Sequence, residues 1–325
     1  MKEIRQACVI GAGTMGHGIA QLFAQAGIPV YLADNRVDAL TEAMRLISGS
    51  LKAFVDHGFI NEHRAQEVLH LVRPVENLDQ AVEQVDFVTE SVKEDLKVKQ
   101  QLFERMDAIS QPHAVLASNT SSLSLSEIGG RVRRKSRLIV THYFNPPQIV
   151  PTVEIVPDHF TDPAVVDQTC NLIARLGKLP VRLNKAIPGF LVNRVQAAMT
   201  RELLALLEQN VASVAEMDKA IRGSIGFRMA AIGPLEMMDL GGLDLWREVL
   251  RNLCPRLHDS RAAEFVLSEK VEHGELGVKS GRGFYDWNEQ KSSRSLSAKV
   301  SSRDDIFFRL LSLFYRPRES ECRLE

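Results

Sequence analysis

The glycine-rich segment near the N-terminus has the spacing of a dinucleotide-binding turn. It matches the pattern GxGxxG and consists of Gly11, Ala12, Gly13, Thr14, Met15 and Gly16. A predicted strand, residues 7–10, precedes it and an apolar-periodic helix follows, which is the context that this pattern requires. Gly11 permits the tight turn, Gly13 lets a pyrophosphate approach the backbone, and Gly16 lets helix and strand pack closely. The free N–H groups at the start of the helix would bind the phosphates.

A carboxylate at the end of the next predicted strand is placed to select the cofactor. Asp34 follows residues 30–33 and lies 18 residues after Gly16. This spacing is close to that of a carboxylate that binds the adenosine ribose hydroxyls. Its negative charge would repel a 2′-phosphate, so the sequence predicts NAD rather than NADP. A solvated Asp34 after an ordinary strand–turn–helix is the structural alternative.

A histidine and a glutamate have the side chains that alcohol oxidation requires. His142 follows a predicted buried strand, residues 137–141, at the edge where open α/β sheets bind ligands. Glu154 lies in an apolar predicted strand, residues 152–156, where a carboxylate is costly unless it is paired. The imidazole would take the hydroxyl proton while hydride leaves the same carbon, and the carboxylate would orient the ring. For His142 considered alone, a satisfied core histidine is the alternative.

Two further polar positions are candidates for contact with the reacting oxygen. Residues 118–122 follow the predicted strand 114–117 and open toward the same crevice. A hydroxyl in this segment would hold the substrate oxygen or cap the following helix. Asn193 lies on an otherwise apolar helical face at the predicted domain junction, where it would bind substrate or form an inter-domain hydrogen bond.

Composition and charge exclude several classes of partner. The 325 residues include 40 Lys plus Arg and 41 Asp plus Glu, so the formal net charge is −1. A near-neutral chain argues against nucleic acid or an anionic membrane as the main partner. No apolar stretch approaches the roughly 18 residues that span a bilayer. The cysteines have neither metal-ligand nor disulfide spacing, so we expect no metal and a cytoplasmic location; they are Cys8, Cys170, Cys254 and Cys322. An apolar predicted strand begins directly after residue 6, so we also expect no signal peptide.

The first 185 residues alternate short β-branched runs with longer helical patterns, which indicates a parallel sheet covered by helices. We expect strands at residues 7–10, 30–33, 86–89, 114–117 and 137–141. The insert at residues 36–71 has apolar residues at helical spacing and a break at residues 58–61, so it predicts a helical hairpin. The hairpin would either cover a ligand or simply pack its apolar stripe against its own second helix.

After residue 185 the pattern becomes helical. We expect helices at residues 190–209, 212–222, 235–257 and 261–273. The serine-rich residues 292–302 and the apolar segment 306–314 indicate a linker and one docked helix. The predicted fold is thus α/β, with a Rossmann-like NAD-binding domain at residues 1–185, an all-α substrate domain at 186–290, and a tail at 291–325.

Several segments, in the right order over about residues 3–287, resemble the L-3-hydroxyacyl-CoA dehydrogenase family. They are GAGTMGHGIA from Gly11, EDLKVK from Glu94, SNTSSL from Ser118, HYFN from His142, PGFLVNR from Pro188, GPL from Gly233, GLD from Gly242 and KSGRGF from Lys279. The resemblance implies a Rossmann-like domain, a helical domain that forms a homodimer, and NAD as hydride acceptor. It also implies a place in fatty acid metabolism.

The same resemblance implies roles for individual residues. It makes His142 the catalytic base and Glu154 its partner, while Ser121 and Asn193 would contact the reacting oxygen. The residues that would line the nicotinamide half of the cofactor site are Glu94, Lys99, Asn145 and Lys279.

Three features depart from the pattern of that family, so the reaction is better defined than the substrate; one is the tail beyond about residue 287, which exceeds the usual end. Ser50 matches a CoA-contacting serine on the hairpin, but Lys52 is the only cation that remains from a lysine-rich patch. Residues 145–154 and 226–233 look more like relatives that oxidise free 3-hydroxy acids, such as gulonate and carnitine dehydrogenases. Arg228 in the second of these segments would bind a free carboxylate with two hydrogen bonds or would have a structural role.

The leading expectation is NAD-dependent oxidation of a short-chain L-3-hydroxyacyl-CoA, such as 3-hydroxybutyryl-CoA, to the 3-oxoacyl-CoA. The alternatives are the same chemistry on a free 3-hydroxy acid, or a non-catalytic NAD-binding structural protein of the kind found in the lens. A 6-phosphogluconate-type dehydrogenase uses a lysine base, and the pair of His142 and Glu154 argues against it. The presence of Ser121 and Asn193 beside that pair argues against the structural protein.

Overall fold

The computed structural model describes residues 3–260, 265–288 and 296–315, and within them an eight-stranded sheet organises the N-terminal part. Strands β1 to β8 are, in chain order, Ala7–Ile10, Val30–Ala33, Val72–Val75, Phe87–Glu90, Val115–Ser118, Leu138–Tyr143, Thr152–Val156 and Leu179–Arg182. Their order across the sheet is β3-β2-β1-β4-β5-β6-β7-β8. Neighbouring strands run parallel, except that β7 is antiparallel to β6. The predicted Rossmann-like sheet is confirmed.

Helices cover both faces of the sheet, because each central strand is apolar on both sides. Along β1, Ala7 and Val9 pack into the core on one face, and Cys8 and Ile10 pack into the core on the other. The helices of this part, α1 to α7, are Gly16–Gln25, Val37–Asp56, Glu62–Leu71, Leu78–Val82, Leu96–Ile109, Leu125–Ile128 and Pro163–Arg175. Two short 3₁₀ turns are Gly129–Arg131 and Lys135–Arg137.

The hairpin predicted from residues 36–71 is formed by α2 and α3. The stripe of apolar residues on α2 is buried against the rest of the N-terminal part; it includes Ala39, Leu40, Ala43, Ile47, Leu51 and Phe54. The chain leaves α2 after Asp56, and the side chain of Asn61 caps α3 by accepting a hydrogen bond from the Arg64 amide. The break therefore falls where the sequence predicted it.

The chain divides into two compact units. Of the described residues, those up to Asn193 and those from Phe307 to Tyr315 form one unit, and those between Arg194 and Ile306 form the other. Helices α8 to α13 are Val192–Glu208, Val214–Ile221, Phe227–Met229, Pro234–Gly241, Leu243–Leu253 and Phe265–Glu272. A π-helical turn, Arg222–Gly226, links α9 to α10, and a 3₁₀ turn, Cys254–Arg256, follows α12. Among the described helices, none is long and apolar enough to cross a membrane.

One predicted helix of the second unit is wrong. The sequence predicted a single helix at residues 235–257, but α11 ends at Gly241 and α12 begins at Leu243. Gly242 between them has φ +90°, a conformation that interrupts a helix and that glycine adopts without steric cost. The predicted helix at 261–273 begins within residues 261–264, which lie outside the described residues.

The last described helix, α14, is Leu296–Tyr315, and its end belongs to the first unit. Phe308 and Leu311 are buried with Phe54 and Ile149 in a small cluster, and the Phe308 and Phe54 rings meet edge to face at 5.0 Å between centroids. The sequence predicted a docked helix only at 306–314, with a serine-rich linker before it. Residues 296–302 of that stretch are helical, whereas residues 292–295 lie outside the described residues.

Candidate active site

The glycine turn after β1 has the geometry that a pyrophosphate requires. Gly11 has φ +98°, and a Cβ there would lie 2.6 Å from the Ser91 carbonyl oxygen. A Cβ on Gly16 would collide with the Gly11 carbonyl oxygen, whereas the corresponding position on Gly13 is open to 4 Å. Helix α1 begins here without a side-chain cap, so its first N–H groups are available to a phosphate. The residues present therefore fit a dinucleotide.

Asp34 lies beside this turn, at the carboxyl end of β2. Its Oδ2 accepts a hydrogen bond from the Ala12 amide at 2.9 Å, and its Oδ1 accepts one from the Arg36 amide at 3.0 Å. Asp34 also lines a cleft of about 920 Å³ together with Gly11, Gly13 and Arg36. Because carboxylate oxygens accept more than one hydrogen bond, Asp34 can still bind ribose hydroxyls in this cleft.

His142 and Glu154 lie opposite each other on the antiparallel strands β6 and β7. The imidazole Nδ1 is 2.7 Å from Glu154 Oε2, and both side chains are buried. Since the carboxylate can only accept, Nδ1 carries the proton and Nε2 is the nitrogen that can receive one. The Phe144 and Phe190 rings flank the imidazole, with centroids 4.6 Å and 5.5 Å away.

The second oxygen of Glu154 is held by the chain that enters α8. Glu154 Oε1 accepts hydrogen bonds from the Leu191 and Val192 amides at 3.0 Å and 2.9 Å. Burial alone would raise the pKa of Glu154, but the hydrogen bond from His142 and these two amides lower that pKa below its usual value. Glu154 therefore remains ionised and can stabilise a protonated imidazole.

Glu94 organises the loop that carries Ser121. Its Oε1 accepts hydrogen bonds from the Ser121 and Ser122 amides, each at 3.1 Å, and from the Thr120 hydroxyl. Burial would raise the pKa of Glu94, but the Thr120 hydroxyl and the Lys99 ammonium lower it. Residue Ser121 remains exposed, as a residue that contacts substrate must be.

Lys99 is buried beneath the loop that carries Ser121. Its side chain is 1% exposed, with Nζ 2.6 Å from Glu90 Oε1 and 3.3 Å from Glu94 Oε2. The sequence placed Lys99 in the lining of the nicotinamide half. In this geometry two carboxylates occupy its ammonium, and its contact with a cofactor stays a prediction.

The sequence did not single out Glu90, which is the centre of this network. Its two oxygens accept hydrogen bonds from the Lys99 ammonium, the Val92 amide and the Ser118 hydroxyl. Glu90 is the last residue of β4. Its position is comparable to that of Asp34, which directly follows β2, and to that of His142, which lies near the end of β6. A polar residue at the end of a buried strand was therefore the available signal.

The remaining predicted site residues lie on different elements. In the first unit, Asn145 is exposed just after β6, Ser50 is half-buried on α2, and Asn193 is half-buried in the first turn of α8. Arg228 is exposed in the second unit, where its Nε lies 3.4 Å from the Ser224 carbonyl oxygen. Lys279 is exposed in a turn of the same unit. Their roles in binding stay predictions.

The fold and the glycine turn define a class, the Rossmann-type oxidoreductases that bind a dinucleotide beyond the carboxyl ends of their strands. Residues 6–186 match the model of the 3-hydroxyacyl-CoA dehydrogenase NAD-binding domain, and residues 189–287 match that of the C-terminal domain. The chain belongs to the 3-hydroxyacyl-CoA dehydrogenase family. It is an NAD-dependent oxidoreductase of the type that acts on a CH–OH group, as the sequence predicted.

Named relatives of the chain include enzymes with different substrates. The chain is 36% identical to 3-hydroxyadipyl-CoA dehydrogenase of Escherichia coli (strain K12), over 90% of this chain and 61% of that protein, so it spans less than two thirds of that relative. It is 34% identical to a probable 3-hydroxybutyryl-CoA dehydrogenase of Bacillus subtilis (strain 168), over 89% of this chain and 100% of the other. The solved structure of 5-formyl-3-hydroxy-2-methylpyridine 4-carboxylic acid 5-dehydrogenase, an NAD⁺-dependent dismutase, aligns with TM-score 0.88 and 28% identity, over 96% and 98% of the two chains.

Proposed function

We propose that the protein oxidises the hydroxyl group of a short-chain L-3-hydroxyacyl-CoA, such as 3-hydroxybutyryl-CoA, to the 3-oxo thioester. The observation that carries this proposal is the 2.7 Å contact between His142 and Glu154 at the strand edge where the family binds NAD. The relatives named for 3-hydroxyadipyl-CoA and 3-hydroxybutyryl-CoA support a thioester substrate.

In the proposed reaction, His142 Nε2 accepts the proton of the substrate hydroxyl group. NAD, when bound at the glycine turn, supplies the hydride acceptor. The imidazolium that forms is stabilised by Glu154, whose charge is itself held by the Leu191 and Val192 amides. Ser121 and Asn193 would orient the reacting oxygen, since serine and asparagine can each hydrogen-bond to it.

The hairpin gives a specific reason to consider a second candidate, a free 3-hydroxy acid. Residues 36–71 contain four Lys and Arg against five Asp and Glu, so they offer little attraction to the phosphates of CoA. Each of the four cations also pairs with a carboxylate of the hairpin; the pairs are Arg36–Asp38, Arg45–Glu42, Lys52–Asp56 and Arg64–Glu67. A free acid would need none of these cations.

The solved relative with TM-score 0.88 favours the same second candidate, because its name describes a free pyridine carboxylic acid. Arg228 would be the carboxylate ligand in that case. Its guanidinium is exposed and carries a planar set of N–H donors that suits a carboxylate.

An assay of NADH production separates the two candidates. The wild-type protein is incubated with NAD and either 3-hydroxybutyryl-CoA, free 3-hydroxybutyrate, gulonate or carnitine. The proposal expects the highest kcat/KM on the thioester. Activity on a free acid with none on the thioester would replace it by the second candidate, and activity on none of the four would contradict both.

We also propose that the second unit forms a homodimer, as the resemblance predicted. Large apolar side chains are exposed on its described helices, including Phe227 at 76%, Leu235 at 75% and Leu240 at 78%. Such a surface is costly in water unless another copy covers it. Sedimentation equilibrium tests this proposal.

The cytoplasmic location and the place in fatty acid metabolism stay predictions.

A further inference from the structure

Among the described residues of the first unit, two lysines are almost completely buried, and they differ in their partners. Lys99 is 1% exposed and lies between the carboxylates of Glu90 and Glu94. Lys178 is 5% exposed, just before β8, and its Nζ donates to the Val150 carbonyl oxygen at 2.9 Å. No carboxylate of the described residues pairs with Lys178. A buried ammonium with one neutral partner is costly, which distinguishes it from Lys99.

Lys178 lines a cavity of about 350 Å³ within the first unit. This volume is in the range of small-molecule sites. The cavity lies between α1, the tip of the hairpin, the chain before β8 and helix α14. Its apolar walls include Leu22, Phe54, Phe59, Leu176 and Leu311.

Gln148 and Arg175 also line the cavity. The Oε1 atom of Gln148 is buried and has no hydrogen-bond partner in the structure. It faces Gly18 of α1, which does not line the cavity, so we assign it no part in the site. Arg175 also lines the cavity, but its guanidinium already pairs with Glu3 and donates to the Ile4 carbonyl oxygen. Lys178 is therefore the cation that an incoming anion would meet unpaired.

We propose that this cavity binds a small carboxylate with an apolar tail. The carboxylate would pair with the Lys178 ammonium. The tail would contact Phe54, Phe59 and Leu311, whose side chains are too apolar to solvate a second charge. This site is separate from the glycine turn and from His142, so the inference does not depend on the proposed reaction.

The site lies behind the loop that carries Asn145. Ile149 of that loop contacts Phe308 and Leu311 in the cluster on α14, and Val150 is the residue that accepts from Lys178. A bound carboxylate would therefore touch the chain that connects β6 to β7. The same chain segment links the site to β6 and β7, the strands that hold His142 and Glu154.

Calorimetric titration of the full chain with hexanoate at about pH 6, where Lys178 is protonated, tests the proposal, with the uncharged hexanamide as the matched ligand. We expect one saturable site for hexanoate, with affinity lowered about tenfold or more by Lys178→Met and by the change to hexanamide. Lys185→Met removes an exposed lysine of the same unit and should leave the affinity unchanged. Ala26→Leu narrows the cavity, leaves Lys178 in place, and should also weaken binding.

Three results would overturn the proposal. The first is the absence of saturable hexanoate binding to the wild type. The second is equal binding to the wild type and to Lys178→Met, which would place hexanoate at another site such as the active site. The third is equal affinity for hexanamide, which would show that the ammonium does not contribute.

Discussion

His142 and Glu154 are direct cross-strand partners on β6 and β7, although their positions in the chain differ by twelve. Their contact is therefore set by the register of the sheet and does not depend on the conformation of the loop between them. A one-residue slip of this register would move one of the two side chains to the opposite face of the sheet. The antiparallel β7 in an otherwise mostly parallel sheet is what brings the base and its partner together.

We expect His142→Ala to lower kcat by several orders of magnitude with little change in NAD affinity. Without the imidazole, no group at that position receives the hydroxyl proton. Glu154→Gln should be milder but still severe, because the neutral amide does not stabilise the imidazolium. Steady-state kinetics with NAD and fluorescence titration of NADH check both parts.

His113→Ala is a matched control for this prediction. His113 Nε2 lies 2.9 Å from Asp86 Oδ1, so it also forms a histidine–carboxylate contact, in which only the carboxylate is buried. Its loss should leave kcat within a few-fold of the wild type. If His142→Ala keeps more than about a tenth of the wild-type turnover, the assignment of the base is wrong.

Asp34 should determine the choice of cofactor. We expect the wild type to prefer NAD clearly, since the Asp34 carboxylate lies where a 2′-phosphate would come. Asp34→Ser should relax or reverse the preference, because Arg36 lines the same cleft and would meet the phosphate. The ratio of kcat/KM for NAD and NADP measures the effect. Equal values for the wild type would count against the prediction.

Lys99→Met should destabilise the first unit by about 3–5 kcal/mol, because it leaves Glu90 as an uncompensated buried charge. Urea unfolding measures this cost. The double variant Lys99→Met/Glu90→Gln should recover part of the stability, since it removes the unpaired carboxylate. A single variant as stable as the wild type would mean that the buried pair contributes nothing.

The stability of the protein should rise with pH because of Lys178. Burial lowers the pKa of Lys178 from 10.5 to about 7. Between these values the unfolded chain binds a proton that the folded chain does not, so the free energy of unfolding increases with pH, by up to about 1.4 kcal/mol per pH unit. Lys178→Met should lack this contribution and should gain most stability below pH 7.

Urea unfolding of the wild type and of Lys178→Met across that pH range measures the difference between their free energies of unfolding. Other titrating groups are common to both proteins, so this difference reports on Lys178. A difference that does not change between pH 7 and pH 10.5 would contradict the assignment of this titration to Lys178.

Two variants on the predicted substrate contacts should separate the thioester from the free acid. For a CoA substrate, Lys52→Glu should raise KM for the thioester, more strongly at low salt, with kcat nearly unchanged. For a free-acid substrate, Arg228→Met should lose most of kcat/KM. Arg228→Lys should also be poorly active, because an ammonium cannot form the paired hydrogen bonds that a guanidinium forms with a carboxylate. A wild type active on the thioester and indifferent to Arg228→Met would eliminate the free acid.

The sequence predicted the central strands well, because a buried strand needs a continuous apolar run. Strands β1, β2 and β7 have the predicted bounds, and β4, β5 and β6 differ by one or two residues. The two strands that were not predicted are β3 and β8, which lie at the two edges of the sheet. Both contain proline, Pro74 and Pro180, which is tolerated at an edge and argues against a strand when only the sequence is available.

Site residues were predictable from the sequence where a single residue type at a strand end indicates the function. They were less predictable where the arrangement depends on contacts between charged side chains. The glycine turn, Asp34, His142 and Glu154 each stood out by residue type at a strand end. The pairing of Lys99 with Glu90 depends on the helical turn after β4, which brings together side chains nine residues apart. No periodic pattern in the sequence encodes such a contact.

The packing of Phe308 and Leu311 on the hairpin has a consequence for protein synthesis. The ribosome makes the sheet, the hairpin and Ile149 long before it makes helix α14. Until then Phe54 and Ile149 lack the cover of that helix, although the strands beneath them are already complete. A nascent chain therefore displays an apolar surface at the hairpin tip throughout translation of the second unit, the stage at which chaperones bind and incomplete chains associate. Slower elongation through that unit would lengthen this exposure.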